Sequence, residues 1–102
     1  MQLIDRKRLE TALSSFAGAT VFTHIEVTPG GFARNIPVHI IETYLHGEGP
    51  YRAALRLEEQ GWIRVEGLTH MVLDENGRLL LAGHDAEGKL TTALELSRTR
   101  FD

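Results

Sequence analysis

Apolar residues near the start of the chain recur at helical spacing. Leu9, Ala12, Leu13, Phe16 and Ala17 fall on one stripe, which predicts a helix over about 5–17. Asp5 is a natural N-cap, Ile4 is placed to pack on Leu9 as a hydrophobic staple, and Gly18 sits where helices commonly end in the left-handed conformation. Arg6, Lys7 and Arg8 occupy the first turn and read as a solvated polar face.

Beyond Gly18 the period changes to two. Val21, Ile25 and Val27 alternate with Phe22, His24 and Glu26, and Pro29, Gly30 and Gly31 end that strand. A second extended run, about 36–45, is apolar on both faces, so its phase is unreadable, and Pro37 places its start at an edge or a strand beginning. The stretch Gly47-Glu48-Gly49-Pro50 is a loop.

The second half of the chain repeats itself at a spacing of 16 residues. Leu57-Glu58-Glu59-Gln60-Gly61 matches Leu73-Asp74-Glu75-Asn76-Gly77, and Ile63, Val65 and Gly67 match Leu79, Leu81 and Gly83. An acid at the first turn position and glycine at the fourth suit a type I turn with a left-handed fourth residue, which predicts two hairpins with positive φ at Gly61 and Gly77. The expected register sets Leu57 opposite Ile63, Leu73 opposite Leu79, and both Arg52 and His84 opposite Leu68. The strand shared by the two hairpins then runs from Trp62 to Asp74, bending at Gly67, with Ile63, Val65, Thr69, Met71 and Leu73 inward beside Tyr51, Ala53, Leu55, Leu57, Leu79 and Leu81. A last strand over 89–97 carries Leu90, Leu94 and Leu96 on one face, its register open. The expected fold is mostly β: an antiparallel β-sandwich or partly open barrel of about six strands over 19–97, with one N-terminal helix.

At 102 residues the chain fits a single domain, 1–102. A formal charge of −3 offers no general attraction to nucleic acid or anionic lipid. The absence of cysteine removes thiolate chemistry and disulfides, and no apolar run suits a signal peptide or membrane span, so the expected location is cytoplasmic.

Gly49-Pro50-Tyr51-Arg52, Gly61-Trp62-Ile63, Val65-Glu66-Gly67-Leu68-Thr69, Asn76-Gly77-Arg78-Leu79-Leu80, Ala82-Gly83-His84 and Gly88-Lys89-Leu90 resemble the YojF-like family of small bacterial proteins. The resemblance extends over nearly the whole chain and is most specific from about Gly47 to Leu96. It implies a compact β-rich protein of unassigned activity, often encoded beside a deacetylase of bacillithiol synthesis, and by that association an accessory role in low-molecular-weight thiol metabolism. It brings no catalytic residues and no cofactor.

The residues themselves offer two constellations. His24 and Glu26 project from one strand face about 7 Å apart and suit a metal if a neighbouring strand adds a third ligand, with His39, Glu42 and His46 as the sources. Arg52, Glu66, His70 and His84, grouped around Leu68 by the register, combine anion recognition with groups titrating near neutral pH, the equipment of a small-molecule site. The plainer reading of the second group is an outward polar face with Trp62 shielding one end. No nucleophile elbow, phosphate loop, zinc-helix motif or calcium loop is present, so the expected function is a non-catalytic binding or accessory protein with a small-molecule ligand and no cofactor. The alternatives are a small metal-dependent enzyme using His24 and Glu26, and a structural subunit of a larger complex. Phe22, Ile41, Leu68, Val72 and Leu80 on nominally outer faces point to a homodimer.

Overall fold

The computed structural model describes residues 1–102. A two-residue strand β1 (Gln2–Leu3) precedes helix α1 (Arg6–Ser14), whose first turn is closed by Asp5 accepting from the Arg8 backbone N–H at 3.2 Å. The helix is shorter than expected. From Ser15 to Gly18 the chain tightens into turns, with Phe16 N–H on the Leu13 carbonyl and Ala17 N–H on that of Ser14, which tucks the Phe16 ring into the core. Gly18 has φ +82 as expected, and its N–H reaches the Ile40 carbonyl at 2.8 Å, pinning the end of the helical segment to the sheet.

Seven further strands follow: β2 (Thr20–Val27), β3 (Gly31–Gly47), β4 (Tyr51–Leu57), β5 (Trp62–Leu68), β6 (His70–Leu73), β7 (Leu79–His84) and β8 (Leu90–Ser97). All pair antiparallel in one sheet of order β1-β6-β7-β8-β2-β3-β4-β5, curled so that β5 lies against β7 and β8 without closing a barrel. The curl encloses Leu9, Leu13, Phe16, Val21, Ile40, Leu55, Leu68, Met71, Leu79, Leu81, Leu94 and Leu96. No helix is long and apolar enough to cross a membrane.

β3 begins earlier than expected and runs through Pro37, which lies opposite Phe22. The proline is tolerated because residues 31–39 pair with β2 on one side only, while β4 takes up the other side from Ile40 onward. Asn35, at φ +57, kinks the same unpaired half-edge. On the remaining half, the Arg6 guanidinium donates to the carbonyls of Leu45 (3.0 Å) and Gly47, and α1 covers the edge.

The two matching turn sequences fold differently. At Asp74–Gly77 the expected turn forms: Gly77 has φ +79, its N–H reaches the Asp74 carbonyl at 3.1 Å, and Leu73 faces Leu79. The Asp74 carboxylate accepts from the N–H groups of Asn76 and Arg78 at 2.8 and 2.9 Å, and Asp85 repeats the arrangement with Glu87 and Lys89 before Gly88, also at φ +79. Glu58 carries one methylene more than aspartate and makes no such bond. There Glu59 and Gln60 take the positive φ angles, and Gly61 has φ −77. Leu55 rather than Leu57 consequently faces Ile63. An offset of two residues preserves which side each residue faces, so Ala53, Leu55 and Val65 still point into the core.

The strand expected from Trp62 to Asp74 breaks at Thr69 into β5 and β6. Gly67, at φ +71, sits where the β4–β5 register shifts, so Leu68 turns inward, opposite Tyr51, and is fully buried. Leu68 is therefore a core residue and not an outer one, which removes it from the apolar surface behind the homodimer expectation. Phe22, Ile41, Val72 and Leu80 are half-buried, and the exposed large apolar side chains are instead Met1, Leu3, Val27, Phe32, Ile36 and Trp62.

Candidate functional site

Strand alternation gives β3, β4 and β5 a common outer face. Glu42, Tyr44 and His46 of β3 stand on it with Arg52, Ala54 and Arg56 of β4 and Trp62, Arg64 and Glu66 of β5. Pairing sets Tyr44, Ala54 and Arg64 in one row, Glu42, Arg56 and Trp62 in a second, and His46 beside Arg52 in a third. The small Ala54 is at the centre of larger neighbours, so the face is dished into a cleft of about 640 Å³ lined by Tyr44, His46, Arg52, Ala54, Trp62 and Arg64. Tyr44 and Trp62 form one wall, their rings 5.8 Å apart and inclined by 32°. Trp62, the largest aromatic side chain of the protein, is 55% exposed.

The charges on this face are engaged unequally. Glu42 accepts from Arg56 Nε at 3.2 Å and Nη2 at 2.5 Å. The Arg56 guanidinium, and after it the Tyr44 hydroxyl, hold the Glu42 carboxyl below its ordinary range, and the same contacts raise Arg56. Arg52 and Arg64 instead share Glu66, each Nε lying 3.6 Å from one of its oxygens, too far for a hydrogen bond. Three guanidiniums thus meet two carboxylates, leaving local positive charge on a chain that is negative overall.

The four residues expected around Leu68 separate into two pairs. Arg52 and Glu66 belong to the cleft face, with Arg52 opposite His46. His70 and His84 stand together on β6 and β7, their rings 4.8 Å apart and nearly perpendicular, with Nδ1 atoms 2.7 and 3.2 Å from the single hydroxyl of Thr69. His84 faces Leu90 beyond a β7–β8 register shift, rather than Leu68. The separation follows from Gly67, which turns Leu68 into the core. His46, weighed in the sequence only as a source of a metal ligand, enters the cleft, as do Tyr44, Ala54 and Arg64, which the sequence does not single out. Their signal is the alternation Arg52-x-Ala54-x-Arg56 against Trp62-x-Arg64-x-Glu66.

His24 and Glu26 are adjacent, Nε2 to Oε1 at 3.1 Å, but no third ligand joins them. Across β3 they face Arg34 and Phe32: Arg34 Nη1 lies 3.2 Å from His24 Nδ1, and the Phe32 ring stacks on the imidazole at 5.7 Å. His39 is held by Thr20, Glu42 by Arg56, and His46 lines the cleft. No group of three or more His, Cys, Asp or Glu side chains is placed to hold a metal ion. Both nitrogens of His24 are engaged within a polar network that Arg34 extends to the Asp102 carbonyl.

The family model described as "Protein of unknown function (DUF1806)" matches residues 3–101. The uncharacterized protein YojF of Bacillus subtilis (strain 168) is 36% identical over 115 aligned positions, covering 99% of this chain and 98% of YojF. The crystal structure of Bacillus subtilis YojF superposes with a TM-score of 0.91, covering 99% of this chain and 96% of that one. Near-complete coverage in sequence and in fold places the chain in the YojF-like family, DUF1806.

Proposed function

We propose that the protein is a non-catalytic binding module whose cleft on β3, β4 and β5 receives the ring of a small molecule, with a thiol glycoside as the ligand class that the family association suggests. The observation that carries the reading is the half-exposed Trp62 beside Tyr44 over the recessed Ala54. An aromatic wall over a small floor stacks a sugar or aromatic ring, and the surrounding arginines and His46 supply orienting hydrogen bonds. Trp62 is the only tryptophan in the chain, so its indole N–H gives one resolved resonance that reports directly on the cleft. Titration with 1-thio-β-glucose and methyl β-glucoside should move that resonance in the parent protein, while Trp62→Ala should abolish saturable binding detected at neighbouring backbone amides. An indole resonance unmoved by every glycoside overturns the proposal.

Exposed tryptophan and arginine are also the side chains that anchor protein interfaces. An accessory partnership with a deacetylase would therefore use this same face. Capture of the purified deacetylase by the parent, lost in Trp62→Ala, is the expected outcome, and undiminished capture by the variant would place the contact elsewhere.

A further inference from the structure

Glu66 is held in a way that Glu42 is not. The Glu42 carboxylate is hydrogen-bonded to its own arginine, whereas Glu66 stands between two guanidiniums and bonds neither, at 3.6 Å from each. A guanidinium satisfied by a carboxylate takes donor–acceptor distances of about 2.7–2.9 Å, often two at once. Arg52 and Arg64 have obtained neither. All three side chains are largely in solvent, at 46%, 59% and 59% exposed, so little holds the carboxylate where it is. Ala54 leaves open floor between the two arginines. The arrangement has the form of an anion site filled loosely from within.

We propose that Arg52 and Arg64 form an anion subsite of the cleft, taking a carboxylate or phosphate group of the ligand, and that Glu66 is its internal competitor. In the free protein the Glu66 carboxylate occupies the space between the guanidiniums; an arriving anion forms the short, paired hydrogen bonds that Glu66 does not, and Glu66 swings into solvent. Neutral ligands leave Glu66 in place, so the exchange selects for negative charge despite the acidic balance of the whole chain. This inference rests on the binding reading above and narrows its ligand to a ring-bearing anion.

The test uses inorganic phosphate as probe, followed at the Arg52 and Arg64 Nε–H resonances of the full chain at low ionic strength. Removing one negative charge about 5 Å from the bound anion should lower the half-saturating phosphate concentration about fivefold in Glu66→Gln, and Arg64→Gln should raise it above the parent value. At the Trp62 indole, methyl β-glucuronide should gain a similar factor in Glu66→Gln while methyl β-glucoside stays unchanged. Equal phosphate affinity in Glu66→Gln and parent, or shifts reproduced by chloride at matched ionic strength, overturns the inference. Phosphate has no ring, so its failure leaves ring binding standing, and an indole silent to glycosides leaves the phosphate result standing.

Discussion

Gly83 is where the curl of the sheet can be tested with a single methyl group. β7 passes β5 so closely there that a Cβ at position 83 would overlap the Gly67 carbonyl oxygen, while lying 3.1 Å from the Gly67 carbonyl carbon and 3.0 Å from Thr92 Cγ2. The Thr92 methyl can give way by a small rotation. The Gly67 carbonyl cannot, because it belongs to a backbone already turned to φ +71 at the register shift that buries Leu68. Relief requires β5 and β7 to separate, loosening the contact between Leu68 and the rest of the core. Overpacking typically costs about 1–3 kcal/mol, and a rigid backbone neighbour puts Gly83→Ala at about 2–3 kcal/mol. At roughly 4–8 °C per kcal/mol for a domain of about this size, the melting temperature should fall by about 10–20 °C. Gly31→Ala is the control, since nothing lies within 4 Å of its Cβ position. Urea unfolding followed by Trp62 fluorescence, with far-UV circular dichroism alongside, should show Gly83→Ala destabilised and Gly31→Ala near the parent. Equal stability of Gly83→Ala and parent would mean that β5 does not lie across β7 and that the sheet is flatter than described.

Gly77→Val should destabilise by about 1–3 kcal/mol through strain at positive φ, whereas Gly61→Val, at φ −77, should cost well under half as much; equal losses in chemical denaturation would contradict the difference between the two turns. Asn35→Ala should cost about 2–3 kcal/mol, because its side chain both donates to the Phe101 carbonyl at 3.0 Å and accepts from the Phe101 N–H at 2.7 Å, and alanine fits φ +57 poorly. Unchanged hydrogen exchange at the Phe101 amide would refute that clasp. Glu42 is held below the ordinary carboxylate range by Arg56 and then Tyr44, so its contribution to stability is complete above that range and is lost as pH falls toward the lowered folded value. Glu42→Gln should therefore lower stability at neutral pH and flatten the acid limb of the stability–pH curve, so that variant and parent converge as pH falls, and superimposable curves would refute the assignment.

How far the fold was legible depended on whether a local rule had one outcome. Asp5 and Asp74 announced their structures because a short carboxylate reaches the N–H groups two to four residues ahead. Glu58 looked equivalent, but its longer side chain leaves that turn to other geometry. The inward set Ala53, Leu55 and Val65 survived the resulting error because the offset was two residues. Gly67 did the opposite: a glycine in a strand signals a bend, but nothing local tells that Leu68 turns inward after it while Met71 and Leu73 keep the inward parity of Ile63 and Val65. Arg52 and Glu66 were identified as candidate site residues, yet their true neighbours Tyr44 and His46 lie on β3, whose phase was hidden because its two halves serve different partners. His24 and Glu26 were correctly seen as neighbours, while the identity of the facing residues, Arg34 and Phe32, depended on a β2–β3 register that alternation alone does not specify.

That division of β3 also bears on how the chain behaves in crowded company. A strand of 17 residues with a partner on only one side along each half presents two rows of backbone groups that another polypeptide could copy. On the first row Pro37 has no N–H to offer and Asn35 breaks the straight run, so an incoming strand would lose its ladder within a few residues. On the second, Arg6 already holds the carbonyls of Leu45 and Gly47, and α1 stands in the way. The longest strand of the protein is thereby kept from seeding intermolecular β-aggregation, and Arg6, which read from the sequence as one cation of a solvated helix turn, is one of the residues that guards it.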